Sequence, residues 1–341
     1  MKKSVILAFT VIVFITSNIS ISYADWLPDG TPVCTAINEQ ENLQVCTDGA
    51  GGVIMVWEDV RNYRDIYAQR FDFNGVPLWT ADGVLVCGAS GSQSGPQICS
   101  DGTGGAIIAW SDGRSGRDIY VQRINGLGTA MWGADGMAVC IAANNQTKVQ
   151  IASDGLRGAV MVWRDERVAS GIQDIYAQRV DALGALRWTV NGVAVCTQAT
   201  NEDEPRIVSD GAEGAIMAWL DYRSSAYNVY AQRVDATGTV QWTADGVAIC
   251  TASGSKYDVE IMADGDDGAI VAWCDNRSDY DLYAQKINSA GGIQWMANGN
   301  PICIAPGQQR YPRMISDDNG GAIVVWRDYR AGNYDVYVLS L

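Results

Sequence analysis

The twelve tryptophans of this chain fall on one rhythm. Trp57, Trp110, Trp163, Trp219, Trp273 and Trp326 form one series, stepping by 53, 53, 56, 54 and 53 residues. Trp26, Trp79, Trp132, Trp188, Trp242 and Trp295 form a second, interleaved series. A period near fifty with short strand-like segments inside it predicts a ring of β-sheet blades, a propeller. The second copy, residues 96–140, shows the segments. Residues 97–99 lead into a hairpin at Asp101-Gly102, and residues 106–110 are apolar throughout, as in a strand buried on both faces. Residues 118–124 alternate, and a last segment carries Trp132 and runs to Cys140. Asp-Gly and Asn-Gly pairs supply the positive φ angles of tight hairpins. These strands are named A to D from the axis outward.

Residues 26–34 read as a D strand alone, and residues 335–338 as a C strand with no D after it. The expected fold is therefore all-β: a six-bladed β-propeller of four-stranded blades, closed by the N-terminal strand completing the last blade. Lys2 and Lys3, an apolar run over 5–15 and Ser-Tyr-Ala at 22–24 have the layout of a secretory signal peptide. Residues 1–24 are thus expected to be removed and residues 25–341 to form the propeller. The apolar run is too short to anchor in a bilayer, so no membrane span is expected after cleavage. The destination is then secreted, periplasmic or cell-surface, and the protein is expected to be a monomer. Without Lys2 and Lys3, 22 basic residues face 39 acidic ones, a net charge of −17. Such a surface repels phosphate, which argues against nucleic-acid binding. The chain has no histidine, which excludes a Ser-His-Asp triad and histidine metal sites.

Insertions concentrate in one loop. From the C-strand tyrosine to the next B-strand tryptophan the distance is always 43 residues, as from Tyr67 to Trp110. From tryptophan to tyrosine within a blade it is 10, 10, 13, 11, 10 and 11. In a propeller the B–C loops share a face with the D-to-A crossings, and length variation on one face of a fixed scaffold marks a binding side. Eight tyrosines outside the repeat fall in those loops and crossings: Tyr63, Tyr222, Tyr227, Tyr257, Tyr280, Tyr311, Tyr329 and Tyr334. They belong to blades four, five, six and one, and offer flat apolar faces with polar tips suited to sugars or protein surfaces. Packing of loop on loop is the bland alternative.

Each blade carries W-x-D-x-R, from Asp59 and Arg61 to Asp328 and Arg330. Six copies argue for a brace of the B–C loop by charge-assisted hydrogen bonds, not for catalysis. The position expected to open strand A does vary: Gln44, Gln97, Gln150, Arg206, Glu260 and Arg313. Blades four to six thus bring Arg206, Glu260 and Arg313 near Tyr257, Tyr311 and Asp203 at the channel mouth. An arginine pair grips a carboxylate well, and a carboxylate beside a tyrosine can activate its hydroxyl. An inter-blade ion-pair network is the competing reading. The sequence DGDDG at 264–268 lacks the spacing and closing glutamate of a calcium loop. No metal and no cofactor is expected. Six of nine cysteines repeat, Cys34, Cys87, Cys140, Cys196, Cys250 and Cys303, and read as small buried hydrophobes. Pairing Cys34 with Cys46 or Cys87 with Cys99 would bridge an outer strand to an inner one, beyond disulfide reach.

The repeated W-x-D-x-R and D-I-Y-A-Q segments, with hairpins such as the one over 235–242, resemble secreted bacterial β-propeller repeats. They are also similar to the strand pattern of sialidase-like propellers, whose hairpins carry an Asp-box, although here the Asp-to-Trp span is two residues longer. That resemblance implies a glycosidase using arginines, a Tyr-Glu pair and an Asp acid/base, with Arg206, Arg313, Glu260, Tyr257, Tyr311 and Asp203 as its available parts. The favoured expectation is instead a non-catalytic scaffold binding a glycan or protein on the B–C/D–A face. Its contact residues would be the eight loop tyrosines with Arg206, Glu260 and Arg313. A sialidase-like hydrolase and a structural envelope module are the alternatives.

Overall fold

The computed structural model describes residues 26–341; the expected signal peptide lies outside them. The first sheet holds β1 (Gln40–Thr47), β2 (Val53–Asp59), β3 (Asp65–Phe71) and β4 (Val84–Cys87). The second holds β5 (Gln93–Ser100), β6 (Ala106–Asp112), β7 (Asp118–Ile124) and β8 (Met137–Cys140). The third holds β9 (Gln146–Ser153), β10 (Ala159–Asp165), β11 (Asp174–Val180) and β12 (Val193–Cys196). The fourth holds β13 (Glu202–Ser209), β14 (Ala215–Asp221), β15 (Asn228–Val234) and β16 (Val247–Cys250). The fifth holds β17 (Lys256–Ala263), β18 (Ala269–Asp275), β19 (Asp281–Ile287) and β20 (Asn300–Cys303). The sixth holds β21 (Gln309–Ser316), β22 (Ala322–Asp328) and β23 (Asp335–Ser340). Strand pairing within every sheet is antiparallel, and the first strand of each sheet neighbours the first strand of the next in sequence. The fold is an all-β propeller of six blades, and no helix of the described residues is long and apolar enough to cross a membrane.

Buried apolar clusters join the first sheet to the second, and so on to the fifth and sixth. Apolar runs such as Ala-Ile-Ile-Ala-Trp on β6 are fully buried because a neighbouring sheet covers each face. The first tryptophan series forms the centre of this core: Trp110, Trp163, Trp219 and Trp273 are wholly inaccessible. Each indole N–H finds the aspartate two residues on, as Trp163 Nε1 finds Asp165 Oδ2 at 2.7 Å. The same aspartate takes the arginine of W-x-D-x-R: Arg167 donates to Asp165 through its backbone amide, Nε and Nη2 at 2.6–2.9 Å. Arg167 also lies over Tyr176 at 3.6 Å and donates to the Asn191 carbonyl at 2.7 Å. The motif is therefore a brace from B strand to D strand. The repeat cysteines join it: in every sheet an arginine Nη2 donates to the sulfur at 3.0–3.5 Å, and the sulfur lies 3.6–3.9 Å from the aspartate. They are members of a polar unit; Cys87, Cys140, Cys196 and Cys250 are buried, whereas Cys34 and Cys303 are half-buried.

Three details differ from the expectation. The inner strands begin four residues earlier than the Gln44 series, because a bulge interrupts the alternation by which a strand is read. The second tryptophan series precedes its strands: Trp132 lies in a turn five residues before β8. Closure is the third. Residues 26–34 form no strand and pair with nothing on β23. They keep only the contacts that such a segment makes to the following sheet: Trp26 stacks on Phe71, Cys34 receives Arg61, and Thr35 donates to Asp82 at 2.7 Å. Among the described residues no fourth strand pairs with β23, and Val336 and Val338 on it are 82% and 63% exposed.

Candidate functional site

The register of each inner strand slips at its third residue, as between Asp203 and Arg206 or Tyr257 and Glu260. There Asn42, Gly95, Lys148, Glu204, Asp258 and Tyr311 take φ of 50–63°. A left-handed φ is costly for the five that carry a side chain, and bulges of this kind re-aim side chains beside functional sites. The backbone deviation repeats six times, yet the residue placed on it differs each time. Scaffold demands repetition; a site demands difference.

Four of these inner strands build a charged cluster. Glu260 sits between Arg206 Nε at 3.2 Å and Arg313 Nη1 at 2.7 Å. Asp258 accepts from Arg310 Nε at 2.6 Å and from the Tyr311 amide at 3.2 Å. Asp203 accepts from Lys148 Nζ at 2.7 and 2.9 Å, and Arg164 Nη1 lies 3.4 Å away. Glu204 is different. Its amide donates to Asp203 Oδ1 at 2.7 Å, but its carboxyl has no partner among the described residues. Burial pushes that carboxyl above the usual carboxylate range; Arg206 and Lys148 pull against this, and Asp203 and Asp258 add to it. One carboxyl without a cation partner thus stands beside carboxylates bonded to cations.

Aromatic rings flank the cluster on the fifth and sixth sheets. Tyr257 and Tyr280 meet at 5.6 Å, and Arg310 lies 4.9–5.3 Å from the rings of Tyr257, Tyr280 and Tyr311. Arg327 lies over Tyr334 at 3.5 Å and near Tyr311 at 5.3 Å. Tyr329 packs on Tyr334, and Tyr222 packs on Tyr227. Tyr63 is exposed in the β2–β3 loop of the first sheet. The crossings and B–C loops do share a face: the Tyr222 amide donates to the Asn201 carbonyl at 3.0 Å, and the Tyr329 amide to the Gln308 carbonyl at 2.8 Å.

The structure thus gathers Arg206, Glu260, Arg313, Tyr257, Tyr311 and Asp203, but both arginines are engaged by Glu260. Glu204, Asp258, Lys148 and Arg327 escaped the sequence reading. A signal existed: Gly95-Pro96, Glu204-Pro205 and Tyr311-Pro312 place proline inside a strand, which is tolerated chiefly at edges and bulges.

No protein-family model and no curated protein matches the sequence. Solved structures do. A Dyadobacter fermentans protein described as of unknown function is similar over 90% of this chain and 96% of its own, at 11% identity and a TM-score of 0.53. An α-L-arabinofuranosidase from Fusarium graminearum, solved with an iminosugar inhibitor, covers 91% and 95% at 11% identity and a TM-score of 0.48. An α-L-arabinanase from Penicillium chrysogenum, complexed with arabinobiose, covers 91% and 95% at 12% identity and a TM-score of 0.44. The expectation of a non-catalytic scaffold is corrected at this point: solved structures of similar fold include glycoside hydrolases. The likeness to the Dyadobacter protein shows the fold, a β-propeller.

Proposed function

We propose that this protein is a glycan-processing hydrolase whose reaction centre lies on the inner-strand bulges of the fourth and fifth sheets. The observation that carries the reading is Glu204: half-buried, unpaired, raised in pKa, and aimed by a left-handed bulge. Glycoside hydrolysis needs one carboxylic acid to protonate the leaving oxygen and one carboxylate to activate water or attack the sugar. Glu204 fits the acid. Asp258, paired with Arg310 at 2.6 Å, fits the second part. Water supplies the hydroxyl to the sugar carbon, and its remaining proton restores the acid. The rings of Tyr257, Tyr280 and Tyr311 supply faces for sugar C–H groups. Arg206 and Arg313 are each already bonded to Glu260 and to a proline carbonyl, so neither offers a fully open fork to a carboxylate, which supports an uncharged glycan over the sialoside of the sialidase-like variant. Export through a signal peptide at residues 1–24, action outside the cell and a monomeric state belong to the same proposal.

The test is a panel of aryl glycosides and oligosaccharides, sialosides and arabinobiose included, with purified wild type, Glu204→Gln and Asp258→Asn. The expected outcome is turnover of at least one neutral substrate by wild type, and a loss of at least ~10²-fold with Glu204→Gln. Turnover undiminished by Glu204→Gln, or none on any substrate, refutes the assignment.

A further inference from the structure

The sixfold repeat contains its own control for one buried position. The first residue of each inner strand faces the aspartate that ends strand B: Gln40 pairs with Asp59, Gln93 with Asp112, Gln146 with Asp165, Glu202 with Asp221, Lys256 with Asp275 and Gln309 with Asp328. Four sheets carry glutamine, one lysine and one glutamate. In the five others a nitrogen at this position donates into the preceding crossing. Gln93 Nε2 donates to the carbonyls of Ala89 and Gly91 at 3.1 and 3.2 Å. Lys256 Nζ donates to those of Ala252, Ser253 and Gly254. This pocket of carbonyl oxygens is thus built around positive charge or N–H hydrogens.

In the fourth sheet the occupant is a carboxylate. Glu202 is fully buried, and both its oxygens lack a hydrogen-bond partner among the described residues. The carbonyls of Gln198 and Thr200, equivalent to those of Ala252 and Gly254, receive no side-chain donor among the described residues. Two further buried oxygens without partners lie in the same region: Thr200 Oγ1 in the crossing, and Oδ2 of Asp174, the residue after the Gln173 carbonyl that accepts the Glu202 amide. Donor atoms of Glu202, Asp221 and Cys196 lie within 4.8 Å of one another. Asp221 is already bound by Trp219 and Arg223. The Cys196 sulfur is likewise engaged, lying 3.7 Å from Asp221 Oδ2 and receiving Arg223 Nη2 at 3.5 Å. What remains is an oxygen-only set. Counted formally, the three carboxyl groups of Glu202, Asp174 and Asp221 face the single guanidinium of Arg223, an excess of two, since Arg167 is bound to Asp165.

We infer that the crossing at residues 197–202 binds one hard divalent cation of the calcium type, held by the Glu202 carboxylate, Thr200 and the crossing carbonyls, with Asp174 completing the charge balance. The ion occupies the place that the lysine ammonium or glutamine amide fills in the other sheets. A proton on Glu202 is the alternative neutraliser, yet it supplies one donor where several oxygens need partners. The inference stands independently of the hydrolase reading. It gives that reading one addition, because the ion would anchor the strand whose bulge carries Glu204.

The experiment is calcium titration of chelator-stripped protein by calorimetry, with melting curves in calcium and in EDTA, for wild type and Glu202→Gln. Wild type is expected to bind one Ca²⁺ per chain, with a melting rise of about 5 °C at a hundredfold excess over Kd. Glu202→Gln carries the residue four sheets already hold. It is expected to fold, to bind no calcium, and to melt in EDTA no lower than wild type. Absence of calcium binding by wild type, binding that persists in Glu202→Gln, or binding of zinc alone would each overturn the inference.

Discussion

Removing Asp112 tests the brace that holds each blade. This carboxylate is fully buried and accepts from Trp110 Nε1 at 2.8 Å, from the Arg114 amide at 2.9 Å, and from Arg114 Nε and Nη2 at 2.8 and 2.7 Å. Asp112→Ala leaves a guanidinium, an indole N–H and an amide without their acceptor. Breaking a buried pair by deleting one partner costs roughly 3–5 kcal/mol. Arg114 keeps the Asp135 carbonyl at 2.8 Å and the Tyr120 ring at 3.9 Å, which holds the loss toward the lower end. With a melting shift of about 2 °C per kcal/mol for a chain of this size, the drop should be near 6 °C. The effect has a pH signature. Burial pushes Asp112 up, but the bonds from Arg114 and Trp110 outweigh it and hold the group below its ordinary value. A depressed carboxylate stabilises above its unfolded pKa of about 3.9, and that contribution disappears as pH falls through the folded value. The gap between wild type and variant should therefore be full at pH 7 and shrink below about pH 4. Thermal unfolding by circular dichroism from pH 3 to 7 measures it. A drop under 1 °C at pH 7, or a gap constant to pH 3, refutes the reasoning.

Other outcomes follow from the same geometry. Trp163→Ala should cost roughly 3–5 kcal/mol in denaturant melts, since the indole is wholly inaccessible. Gly192→Ala should also destabilise: φ there is +90°, and a Cβ would lie 2.5 Å from the Trp163 ring and 2.8 Å from the Ala177 carbonyl, so a neutral melting curve contradicts the packing. Trp26→Ala should lower the melting temperature less than Trp79→Ala, because Trp26 is 44% exposed and Trp79 only 8%; equal losses would show that residues 26–34 are covered in solution. If Glu204 is the acid, activity should fall as pH rises through its raised pKa, and the midpoint of that limb should lie above the ordinary glutamate value; a midpoint at or below it counts against the assignment.

The blades were legible because each repeats its own local chemistry. Apolar runs, Asp-Gly turns and the tryptophan spacing act within about fifty residues, and six copies reinforce one reading. The brace was legible for the same reason: Asp165 and Arg167 are two residues apart. The bulges were harder, since an extra residue in a strand breaks the alternation that identifies it, and Glu204 hides on one. The tyrosine asymmetry singled out the fourth, fifth, sixth and first sheets, and on the fifth and sixth Arg310 and Arg327 lie against those rings. Closure was read from strand counting alone, which says which segment lacks a partner but not whether two sheets far apart in sequence meet.

By itself, the order of residues determined the number of blades, the strands within each, and the aspartate–arginine brace, because those follow from contacts inside one repeat. Only tertiary structure decided which side chains converge. Glu260 meets Arg206 and Arg313 from strands more than fifty residues away on either side, and Glu202 faces a pocket whose meaning emerges only when six superimposable positions are compared in space. Local periodicity carries the scaffold, and the differences between equivalent positions become a site only when the ring brings them to one end.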